Sequence, residues 1–64
     1  MDKEQWIYEA SLALIDAHSP YGPLTDKEKA NFVDWAATLA EGEYSFYGSG
    51  YSPIDAVNEE LSYA

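Results

Sequence analysis

The side chains that could do chemistry are few in kind, and their spacing narrows them further. The chain has one histidine, no cysteine, no arginine and twelve carboxylates. A nucleophilic triad would have to be built on His18. The serine beside it, Ser19, carries no nucleophile signature, and a histidine closing a helix already has a role against the helix dipole. Gly48-Ser49-Gly50 lacks the lysine and the spacing of a phosphate loop. No Asp-x-Asp-x-Asp-Gly loop occurs for calcium, and without cysteine there is neither a disulfide nor a thiolate metal site. Paired carboxylates carry little information among so many acids. General acid–base work also needs a sheltered cleft, for which a short helical chain has little room. The expectation is a chain with no catalytic residues, no cofactor and no metal, which acts by binding.

Charge says what it would bind. The formal net charge is −9. All three lysines, Lys3, Lys27 and Lys29, fall in the first 29 residues, and from Ala30 onward six acids stand without a base. Such a polyanion is repelled by nucleic acid and by anionic membranes, so direct contact with either is not expected. A basic protein surface is the natural complement. The plainer explanation is that charge keeps a small aromatic-rich protein soluble.

The elements that would position these groups are helices. Hydrophobic residues at 47% and aromatics at 16% argue against disorder, which pairs high charge with few aromatics. Length allows one domain over residues 1–64 with a small core. From Lys3 to Ala17, Ile7, Ala10, Leu14 and Ala17 recur at helical spacing, widened by Trp6 and Ala13. His18-Ser19-Pro20 ends that helix and Pro20-Tyr21-Gly22-Pro23 turns the chain. Thr25 and Glu28 form a capping box for a second helix with the stripe Phe32, Trp35, Ala36, Leu39 and Ala40, stopped by Gly42. Alanines between Ala30 and Ala40 allow close approach of another helix. Ser52 caps a third helix, with Pro53 at its first position and a stripe of Ile54, Val57 and Leu61. Between helices 2 and 3, residues 43–51 read as an aromatic-rich loop, with a short strand or a helical turn as alternatives. The expected fold is all-α, a compact three-helix domain.

Position separates the acids. Asp26, Glu28 and Asp55 lie near helix starts, where negative charge stabilises. Asp16, Glu41, Glu59 and Glu60 lie near helix ends, where each opposes the dipole by about 0.3–1 kcal/mol when exposed. Asp55 and Glu59 are also a like-charge pair four apart. A basic partner would compensate for keeping them. Carboxylates four apart rise about 6 Å along a helix, and phosphates step about 3.4 Å along one DNA strand, so acids from two helices can outline a phosphate-like array. The expected contact residues are Asp34, Glu41, Glu43, Asp55, Glu59 and Glu60 for charge. Tyr44, Tyr47 and Tyr51 would add contact area, since tyrosine is enriched at interfaces.

In length, charge and absence of cysteine the chain resembles the small acidic inhibitors encoded by bacteriophages, among them DNA-mimic anti-restriction proteins and anti-CRISPR proteins. The nearest carriers of that resemblance are Glu41-Gly42-Glu43 and Asp55-Ala56-Val57-Asn58-Glu59-Glu60 in the lysine-free half. The resemblance implies stoichiometric inhibition of a nucleic-acid-binding defence complex through its DNA site. A helical adaptor docking a protein through its aromatic surface is the alternative, and a homodimer formed on apolar faces is a third. The charged start, Met1-Asp2-Lys3-Glu4-Gln5, with no apolar run behind it, leads to a cytoplasmic expectation. No stretch approaches the roughly 20 apolar residues of a membrane span.

Overall fold

A computed structural model of the chain describes residues 1–18, 22, 24–42 and 45–62. Three helices follow one another: α1 (Lys3–His18), α2 (Asp26–Glu41) and α3 (Pro53–Ser62). No strand occurs among the described residues, and the expected three-helix domain is what the chain forms. The expected 20–23 turn falls mostly outside the described residues.

Each helix begins where a side chain can satisfy free backbone amides. Asp2 caps α1, its Oδ1 accepting from the Gln5 amide at 2.8 Å. Thr25 opens α2 with the capping box in full. The Glu28 amide donates to Thr25 Oγ1 at 3.1 Å, and the Thr25 amide donates to Glu28 Oε1 at 3.1 Å. Ser52 Oγ accepts from the Asp55 amide at 3.1 Å at the head of α3. Gly42 stops α2 as expected, but not through a left-handed cap: its φ is −78° and ψ −151°. Glycine is needed there because a Cβ would collide with the Thr38 carbonyl oxygen, which accepts the Gly42 amide at 2.6 Å.

α1 lies in the middle and packs along both α2 and α3, which meet each other far less. The core is Trp6, Ala10 and Leu14 from α1, Ala36, Leu39 and Ala40 from α2, Ala56 and Val57 from α3, and Phe46 from the segment between. Four of these nine are alanines, so the helices approach closely where they touch. Leu14 and Leu39 are the largest side chains fully enclosed, each worth about 1.5–3 kcal/mol in burial. Ser11 is buried too, and its hydroxyl donates to the Tyr8 carbonyl at 2.7 Å.

Two stripe residues are placed differently from expectation. Ala17 is exposed, although His18 beside it still packs on Phe32 of α2. Ile54 is 61% exposed. Its helix instead buries Pro53, Ala56 and Val57, which also have helical spacing. Turning Ile54 inward would carry Pro53 and Ala56 out of the close contact that only small or flat side chains permit.

Candidate functional site

The segment ahead of α3 is pinned from both sides. Ser45 takes a positive φ of 47°, a conformation that costs a non-glycine residue on the order of 1–2 kcal/mol. That reversal sends Phe46 back into the core, its amide donating to the Leu39 carbonyl at 3.0 Å. Residues 46–50 form successive turns. The Ser49 amide reaches the Ser45 carbonyl at 3.0 Å, and the Tyr51 amide reaches the Phe46 carbonyl at 3.1 Å. Gly50, at φ 84°, supplies the left-handed step that leads into Tyr51.

Trp6 of α1 holds the far end. Its indole Nε1–H donates to the Tyr51 carbonyl at 2.8 Å, and its ring meets Tyr47 edge-on at 6.2 Å. The Tyr51 ring leans on Phe46 at 4.8 Å and stays 41% exposed. A buried indole therefore fixes a surface tyrosine.

Between this turn and α3 lies an open cleft of about 540 Å³, lined by Ser49, Gly50, Tyr51, Asp55, Asn58, Glu59 and Ser62. Asp55, Asn58, Glu59 and Ser62 fall three, four and seven apart, so they share the solvent face of α3, away from Pro53, Ala56 and Val57. Carboxylates, a carboxamide and hydroxyls make a lining that accepts hydrogen bonds from cationic N–H donors. Among the described residues no three His, Cys, Asp or Glu side chains group as a metal-ligand set. The chain matches no protein-family model, no curated protein and no solved structure.

The structure brings together three of the expected contact residues, Tyr51, Asp55 and Glu59. Asn58, Ser49 and Ser62 join them unforeseen, although the spacing from Asp55 was a readable signal for Asn58 and Ser62. Glu60 is half-buried on the side of α3 that carries Pro53 and Val57, so it diverges from Glu59. Tyr47 is half-buried against the core, with its hydroxyl donating to the Met1 carbonyl at 3.4 Å. Asp34 is exposed on α2. Glu43 and Tyr44 lie outside the described residues.

Glu41 has a partner within the chain. Lys3 Nζ donates to its Oε1, tying the start of α1 to the end of α2. The hydrogen bond and the charge of Glu41 hold the Lys3 ammonium above its usual pKa of 10.5. The acid at the unfavourable end of α2 thus has a base within the chain.

Among the described residues no helix is long and apolar enough to cross a membrane.

Proposed function

We propose that this chain is an acidic protein-binding inhibitor that occupies the basic nucleic-acid-binding surface of a bacterial effector or defence complex, acting in the cytoplasm as a DNA mimic rather than as an enzyme. The observation that carries this reading is the cleft face. There Asp55 and Glu59 stand beside a tyrosine whose position is fixed from the core, within a half of the chain that has no base. A preformed negative surface with an aromatic edge suits a groove built for phosphates and bases, and release of counterions from that groove adds affinity.

The test is capture of partners from a bacterial lysate on the tagged chain, followed by competition with duplex DNA. DNA should displace the chain, and capture should weaken steeply as salt rises from about 0.1 M to about 1 M, which shortens the Debye length from about 10 Å to about 3 Å. The paired reversal Asp55→Lys and Glu59→Lys should abolish capture while the helical circular-dichroism spectrum is kept. A partner that holds DNA and this chain simultaneously and independently would overturn the reading.

A further inference from the structure

α1 carries a second apolar face that the core does not use. Trp6, Ala10 and Leu14 point inward, whereas Tyr8 is 58% exposed and Leu12 46% exposed. They lie four residues apart, and Ile15, half-buried, continues the line three residues on. The ridge runs about 10 Å along the helix. The inner face of α1 is already occupied by α2 and α3.

The borders of the ridge are acidic. Glu9, whose Oε2 accepts from the neutral Gln5 at 2.8 Å, and Asp16 flank one side, and Glu4 flanks the other. Lys3, the lysine of α1, is engaged by Glu41, and His18 packs on the Phe32 ring at 4.9 Å. A second copy of the chain would bring another −9 against this face, which disfavours self-association. An apolar line between acidic borders complements a helix with an apolar stripe between basic borders, the pattern by which helices choose partners.

We propose that the Tyr8–Leu12–Ile15 ridge is a docking surface for a basic amphipathic helix of a partner protein. The ridge shares no residue with the cleft, so it stands or falls separately from the inhibitor reading. The probe is a synthetic helix with a leucine stripe and lysine flanks, titrated into the isotope-labelled chain. Two controls accompany it: the same stripe with glutamate flanks, and a lysine-rich peptide without the stripe. The leucine–lysine helix should bind one to one, and the amide signals of Tyr8, Leu12 and Ile15 should move most. The controls should bind at least tenfold more weakly. Tyr8→Gln with Leu12→Gln should cut affinity about tenfold or more without lowering the melting temperature, because both side chains are outside the core. Shifts centred on Tyr51, Asn58 and Ser62, or undiminished binding by the double variant, would overturn the proposal. So would sedimentation showing a dimer that the double variant dissolves.

Discussion

Replacing Trp6 by phenylalanine tests whether the core positions the cleft. The indole is 3% exposed and donates to the Tyr51 carbonyl at 2.8 Å. Phenylalanine keeps the ring in the core but loses the donor, a loss of about 1 kcal/mol. It is also smaller by roughly 40 Å³, and unfilled volume costs about 24 cal/mol per Å³, adding about 1 kcal/mol. The total, about 2 kcal/mol, is a large share of the roughly 3–10 kcal/mol that a chain of this length commands. For so small a domain it lowers the melting temperature by about 8–16 °C. Thermal unfolding followed by circular dichroism at 222 nm measures this directly. The local consequence is read from the Tyr51 amide, whose chemical shift should move more than those of α2 residues remote from Trp6. A variant that melts within about 2 °C of the parent, with Tyr51 unmoved, would refute the claim that the indole anchors the turn.

Ile54→Ser should change stability by no more than about 0.5 kcal/mol, whereas Val57→Ala, three residues along, should cost about 1–3 kcal/mol; urea melts of the two variants decide which face of α3 is buried. For the ion pair between α1 and α2, the Lys3 pKa measured by NMR should lie above 10.5 and fall back toward that value in Glu41→Gln. Because the folded-state pKa is the raised one, the pair's contribution to stability is present in full below the unfolded value and is lost as pH climbs through the folded value, so the melting temperatures of Lys3→Gln and the parent should converge only in strong alkali.

Helix positions were legible because their signals are local. A threonine three residues before a glutamate, a serine before a proline and a glycine after an alanine-rich run each mark a boundary through their own backbone chemistry. The inward face of α3 was legible at Val57 and Leu61, which lie in or against the core, but not at Ile54. Two helical stripes coexist in ten residues, and the choice between them depends on how closely α1 can approach, which is set by Ala56 rather than by the hydrophobicity of Ile54. The site divided in the same way. Asp55 and Glu59 meet on the solvent face of α3, and Tyr51 joins them from the turn ahead of that helix. The hydrogen bond from Trp6 that holds Tyr51 spans 45 positions, and no local pattern encodes such a pairing. The pairing of Glu41 was hidden for a related reason. The base that answers it is Lys3, distant in sequence and close only after α1 and α2 pack. Tyr8 and Leu12 are harder to read from sequence, because a helix with one buried face gives no local signal that a second apolar line is also exposed.

The central placement of α1 has a consequence for how the molecule comes apart. With α2 and α3 meeting mainly through α1, the chain is two helix pairs that share one member, and each pair can open without the other. α3 has ten residues against sixteen in α1 and in α2, so the pair containing α3 is expected to open first. Opening there would dismantle the cleft and leave the α1–α2 pair standing. A ligand held across the turn and α3 would close the unit that opens most readily, so occupancy would register as slowed amide exchange in α3 before it changed anything in α2.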